Sequence, residues 1–426
     1  MYNTFSWSIE TATKRIKTLK KRLIMNAPEL QSVFTQIFFS TLDAQVITAK
    51  KIPDTPLKGA LVSVKDLFDV EGFVTKAGTR VMAQDCTASK DAQVVENLRN
   101  AGVIFIGHTN MTELAYSGLG LNPHYGTPDN AVLTGCIPGG SSAGAAISVA
   151  CDAADIAIGT DTGGSLRIPA AFNGIVGFKP TQGAVSRKGC KPLSTTLDSV
   201  GPMAKNVSAC RLAYQTLSKG RYIKHSTVDP TFIIPSNYGM ADSEPAVQQA
   251  FDAAIDKISM AGHRVDITTV DALEGLKSLA IWHFSAVESR AEYEDLYQSK
   301  REQFDPRVST RMARADEVSA ISYCQTLSIR EQLIAQYKAE MGNKILLLPT
   351  VPILPPKLSI FSSDEVYTQI NLQVLRNPSI ANTIDGCSIS LPFTHETNTI
   401  GVMLTATAYH DESLLELAQE CELLFS

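Results

Sequence analysis

Between residues 57 and 107 the apolar positions change period twice, and that rhythm frames the reading of the chain. Ala60-Leu61-Val62-Ser63-Val64 is a short apolar run behind the turn cluster Asp54-Thr55-Pro56-Leu57-Lys58-Gly59, which predicts a buried strand with Lys65 at its end. Residues 92–101 carry helical spacing and stop at Gly102; residues 103–106 read as a second strand stopping at Gly107. Upstream, residues 11–25 put Ala12, Ile16, Leu19 and Leu23 on one helical face and Lys and Arg on the other. Such a helix can lie on a membrane, but this one is short of aromatics, and the pattern predicts a surface helix with a solvated basic face. A second helix is predicted from Ala27-Pro28 to about Lys51, carrying Leu30, Val33, Phe34, Ile37 and Phe38.

Further along, residues 110–115 read as helix or loop, and the glycine-rich stretch 117–135 as irregular chain. Residues 143–150 form a helix of small side chains able to pack closely on a sheet, 156–158 a strand, and 159–168 and 194–202 loops. A second α/β portion follows: strand 232–234, helix 244–261, strand 264–267, a mostly helical stretch 272–344, strand 345–348 and a proline-rich segment 349–356. The tail predicts a strand at 399–404 and a helix at 412–425. Alternating strands and helices place the protein in the α/β class.

Composition narrows the function classes. Hydrophobic residues make up 44% and charged ones 19% of 426 residues, ordinary for a packed globular protein. A net charge of −5 argues against nucleic acid as a partner. Eight cysteines stand at 86, 136, 151, 190, 210, 324, 387 and 421 with no CxxC pair and no metal-ligand spacing, which predicts reduced thiols, a cytoplasmic setting and no bound metal. No apolar run reaches membrane-spanning length, and the stretch MYNTFSWSIE lacks a basic region followed by an apolar one, so neither a span nor a secretory signal is expected.

The chemistry concentrates between Pro138 and Thr181, where Gly139-Gly140-Ser141-Ser142 and Gly163-Gly164-Ser165 flank a run with few charges. Glycines before a serine leave backbone N–H groups uncovered, and such groups can hold the oxyanion formed when a hydroxyl attacks a carbonyl. The missing part is a base, and Lys65 is the candidate; alone, it would be an ordinary lysine whose stem packs and whose ammonium stays wet. Three short matches mislead. Gly140-Ser141-Ser142-Ala143-Gly144 fits G-x-S-x-G but follows no strand. Asp161-Thr162-Gly163 has no second copy to build a carboxylate pair. The glycine clusters lack the Gly-Lys-Ser/Thr ending of a phosphate loop.

Taken together, the run from Gly139 to Thr181, Val64-Lys65-Asp66 before it and Leu197-Asp198-Ser199-Val200-Gly201-Pro202 after it resemble the amidase signature family. Gly107-His108-Thr109-Asn110-Met111-Thr112-Glu113 and the tail 399–424 extend the resemblance over most of the chain. It implies one large mixed β-sheet covered by helices on both faces, as a single domain 1–426. Within it lie N-terminal helices 8–51, a catalytic core 57–215, and a second α/β portion with substrate-lining helices 230–426. It implies a Ser-cis-Ser-Lys triad: Lys65 as base, Ser141 as the bridging serine behind a cis bond from Gly140, and Ser165 as nucleophile. Thr162, Gly163 and Gly164 match the oxyanion loop, Asp161 and Arg167 its braces, and Ser142 a supporting hydroxyl. No cofactor and no metal are implied.

Two departures refine this. Ala143 stands where many members have Gly, a small change. Tyr116-Ser117-Gly118-Leu119-Gly120-Leu121-Asn122 departs from the Met-Gly-Ser-Ser-Thr-Glu stretch of the tRNA-dependent amidotransferase subunits, and the chain is short for that branch. The expectation is a stand-alone amidase acting on a small-molecule linear amide; an amidotransferase subunit and an inactive binding relative are the alternatives. Nothing in the residues fixes an oligomeric state, which leaves a homodimer open. The acyl pocket is expected from residues 272–342 and the loop near Asp385, with the aromatics Trp282, Phe284, Tyr293 and Tyr297 assigned to the core.

Overall fold

Eleven strands form one sheet in the computed structural model, which describes residues 7–219 and 231–426. Residues 1–6 of the stretch read for a signal, and most of the junction between 215 and 230, lie outside the described residues. The strands are β1 (Phe34–Ile37), β2 (Leu61–Lys65), β3 (Ile104–Thr109), β4 (Ile156–Asp161), β5 (Val176–Lys179), β6 (Ser199–Ala204), β7 (Phe232–Pro235), β8 (Val265–Thr268), β9 (Ile345–Pro349), β10 (Cys387–His395) and β11 (Asn398–Ala406). Their order is β1-β3-β2-β4-β6-β5-β10-β11-β9-β7-β8. β2 runs parallel to β3 and β4, and β7 parallel to β8 and β9; the middle of the sheet is antiparallel. The sheet is therefore mixed, as the family resemblance implies.

Alternate residues of a strand serve opposite faces, and the core divides accordingly. Val62, Val64 and Phe105 join the cluster under the helices Gln93–Asn100, Val207–Leu217, Pro245–Met260 and Asp411–Phe425. Leu61, Ile104 and Ile106 join the one under Ile9–Ile24, Leu42–Lys51, Ala143–Ala150 and Arg167–Phe172. Helices thus cover both faces. The N-terminal helix docks through Ala12, Ile16 and Leu19, as its stripe predicts, and Arg15 on its basic side reaches Asp155 at 2.5 Å.

The helix expected over 27–51 is not what forms. A short 3-10 turn spans Pro28–Leu30, Ser32 takes a left-handed φ of 58°, and β1 then pairs antiparallel with β3 at the sheet edge before a helix starts at Leu42. The apolar spacing of Val33, Phe34, Ile37 and Phe38 suits either state, and pairing with an open sheet edge settles it. Two predicted loops also tighten: β4 continues to Asp161 and a helix starts at Arg167, while the second half of the loop expected over 194–202 belongs to the buried central strand Ser199–Ala204.

Gly144, on the helix Ala143–Ala150, marks the closest backbone contact of that layer. Its N–H donates to Asn110 O at 2.9 Å, and a side-chain Cβ there would lie 2.2 Å from Val33 O and 2.7 Å from Asn110 N. Gly144→Ala is expected to lower stability by about 3 kcal/mol, read as a fall in the urea midpoint with unchanged slope.

Candidate active site

Lys65 closes β2, between β3 and β4, and is fully buried. Its Nζ lies 2.7 Å from Ser141 Oγ and 3.0 Å from Thr160 Oγ1 on β4. Burial pushes the amine from its ordinary value down to about 7; the charges of Cys190, Asp198 and Asp161 pull the other way and do not undo it. A lysine with two hydroxyl partners and no carboxylate in contact among the described residues is the arrangement in which a neutral amine can accept a proton.

Ser141 follows a cis peptide bond from Gly140. Gly140 must be a glycine, since a Cβ would stand 2.6 Å from Gly120 N. Ser142 then opens the helix Ala143–Ala150, its N–H donating to Ser165 O at 3.3 Å and its Oγ–H to Thr160 O at 3.3 Å. The two glycine-serine loops are therefore tied backbone to backbone beneath the end of β4.

The second loop is shaped by Asp161. Its carboxylate accepts from Gly164 N (2.7 Å) and Leu166 N (3.1 Å), and grips Arg167 through Nη2 (3.0 Å) and Nε (3.1 Å). Burial alone would raise the Asp161 pKa, but the Arg167 guanidinium and its hydrogen bonds outweigh burial and hold it at about 2. Arg167, itself fully buried, donates to Asn382 Oδ1 (2.8 Å) and Ser388 Oγ (3.3 Å). Thr162 Oγ1 donates to Asp198 Oδ1 at 2.5 Å.

This bracing assigns the loop amides. The Gly164 N–H is committed to Asp161, and its φ of 130° lets the loop turn there. Among the described residues the N–H groups of Gly163 and Ser165 donate to no protein acceptor, and both residues line an open cavity. A second buried lysine, Lys179 on β5, is pushed to about 8 by burial. It donates to Pro180 O, Gly386 O and Ser199 Oγ at 2.8, 2.7 and 3.3 Å, so it ties strands together away from the cavity.

The cavity measures about 760 Å³, and of Lys65, Ser141 and Ser165 only Ser165 reaches it. Ser165 Oγ has no protein hydrogen-bond partner among the described residues. Residues 281–286 and 311–314 contribute to the wall as expected of the 272–342 stretch, and Trp282 stands in it, where core was predicted; Phe284, Tyr293 and Tyr297 are core. The loop near Asp385 is not part of it: Asp385 accepts from Gln182 N at 3.0 Å, and the wall expected there comes instead from residues 368–379, including Asn371, Leu375 and Arg376. Thr160 and Asn382 were not singled out from sequence; only Thr160, next to Asp161 on the strand of the motif, carried a local signal.

A family model described as Amidase matches residues 14–415. The chain is 30% identical over 381 residues to 2-amino-5-chloromuconic acid deaminase of Comamonas testosteroni, covering 87% of this chain and 82% of that protein. It is 31% identical over 398 residues to Amidase 1 of Arabidopsis thaliana, covering 85% and 92%. A crystal structure of an amidase superposes with a TM-score of 0.85 at 26% identity, over 98% of this chain and 95% of the other. With the family model spanning nearly the whole chain and the eleven-stranded sheet shared with a solved amidase, the chain belongs to the amidase signature family of amidohydrolases.

Proposed function

We propose that this protein is a stand-alone amidase that cleaves a linear carboxylic amide through an acyl-Ser165 intermediate. The observation that carries the reading is the buried Lys65 amine, held near neutrality, 2.7 Å from Ser141 Oγ on the loop tied to Ser165. Neutral Lys65 takes the Ser141 proton as Ser141 Oγ takes that of Ser165, and Ser165 Oγ bonds to the amide carbonyl carbon. The carbonyl oxygen gathers the displaced electron pair and rests on the N–H groups of Gly163 and Ser165. Collapse breaks the C–N bond, and the proton returns through Ser141 to the departing nitrogen, which cannot leave as an anion. Water then attacks the ester by the same relay and releases the acid. Eight free thiols suit a reducing, cytoplasmic setting.

Ser165→Ala is expected to reduce amide turnover by about 10⁴-fold or more and to abolish labelling by a fluorophosphonate, with the melting temperature little changed. Labelled wild-type protein that hydrolyses free glutamine but no other small amide would favour the amidotransferase reading, and protein that takes no label at all would favour the inactive one.

The base sets the pH dependence. Because Lys65 acts unprotonated and loses its proton near pH 7, kcat/KM should rise with pH to a plateau and fall by about tenfold per unit below 7. A profile flat from pH 5 to 8 would exclude Lys65 as the base.

A further inference from the structure

Among the described residues three guanidinium groups, Arg311, Arg314 and Arg376, line the cavity onto which Ser165 opens, against one carboxylate, Asp242. They are not equally occupied. Arg376 lies 3.9 Å from Asp242 and donates to Gly239 O. Arg314 faces Glu317 at 3.7 Å and stacks 3.6 Å over the Trp282 ring. Arg311 has no carboxylate within ion-pair distance among the described residues; its guanidinium carbon lies 5.4 Å from the Tyr367 ring centroid and its Nη1 donates to Tyr116 O at 3.1 Å, which leaves its other N–H donors without a protein acceptor among those residues.

The carbonyl that Arg311 grips belongs to the residue before Ser117, which lines the same cavity. Ser117 Oγ–H and Gly118 N–H both donate to Asn371 Oδ1, at 3.0 and 2.9 Å. Those two donors fix which way the Asn371 amide faces and leave its Nδ2 donor without a protein acceptor among the described residues, again in the cavity wall. The remaining wall is largely apolar, with Leu193, Leu197, Ile281 and Leu375. One uncompensated positive charge with a free planar fork, a neighbouring amide donor and apolar surroundings match a carboxylate of single charge.

We propose, building on the amidase reading, that the substrate is a small amide that also carries a carboxylate, anchored by Arg311 with Asn371 Nδ2 as a second donor. The test compares butanedioic acid monoamide with butanamide, which has the same length and lacks the carboxylate. The ratio of kcat/KM should favour the acid by roughly 30-fold or more in the wild type, collapse in Arg311→Gln and recover in part in Arg311→Lys. Calorimetric binding of butanedioate, which needs no turnover, should weaken about tenfold or more in Arg311→Gln. Fluorophosphonate labelling of Ser165 reports whether each variant is folded. Equal turnover of the two amides by the wild type, or butanedioate binding indifferent to Arg311, overturns the proposal. Failure of the amidase reading looks different: neither amide is cleaved and Ser165 takes no label, yet Arg311-dependent butanedioate binding persists.

Discussion

The site depends on keeping a lysine amine out of water without giving it a counter-ion. Lowering its pKa from 10.5 to about 7 corresponds to about 5 kcal/mol against the ammonium. Two carboxylates are close enough to oppose that shift, yet neither touches the amine, because each is engaged elsewhere. Asp161 is held by Arg167 and the amides of Gly164 and Leu166; Asp198 is held by Thr162 and the amides of Leu193 and Ser194. Either one, turned toward Lys65, would restore its charge. The unfolded chain keeps this proton up to about 10.5 while the folded one gives it up near 7, so the residue's contribution to stability improves as pH climbs through that window.

Arg167 joins the two halves of the sheet. It binds the carboxylate at the end of β4 and, through Asn382 and Ser388, the segment leading into β10 and β10 itself. Breaking such a buried pair leaves a stranded charge, worth about 3–5 kcal/mol. An exposed pair such as Lys14–Glu10, at 2.8 Å, contributes under about 1 kcal/mol. The order of the loop from Asp161 to Arg167 therefore rests on this one interior contact far more than on the surface ion pairs.

What the sequence disclosed followed from range. β2 with Lys65 at its end, the small-residue helix 143–150 and the β7–helix–β8 unit were legible because their apolar period is local. β6 was not: Gly201 and Pro202 look like turn residues, and only the fold shows that Gly201 lets Phe178 O approach to where a Cβ would be 2.2 Å away. β5 and β10 escaped assignment for a related reason: Gly177 and Pro392 interrupt their apolar runs, and it is their partner strands that define them. The two serines and the lysine came through as a motif. Arg311, Asn371 and Asn382 did not, since they lie 146, 206 and 217 residues beyond Ser165 and only tertiary packing brings them to it.

Lys65 and Ser141 lie sealed behind Ser165, which alone of the three faces the cavity. On the acyl-serine reading, whatever resolves the ester must then enter from the cavity the amine has just left. The order of events is dictated by traffic: nitrogen leaves first, and the incoming nucleophile takes its place. An amine such as hydroxylamine, supplied in excess, would compete with water at that step, since both would have to reach Ser165 from the same open cavity.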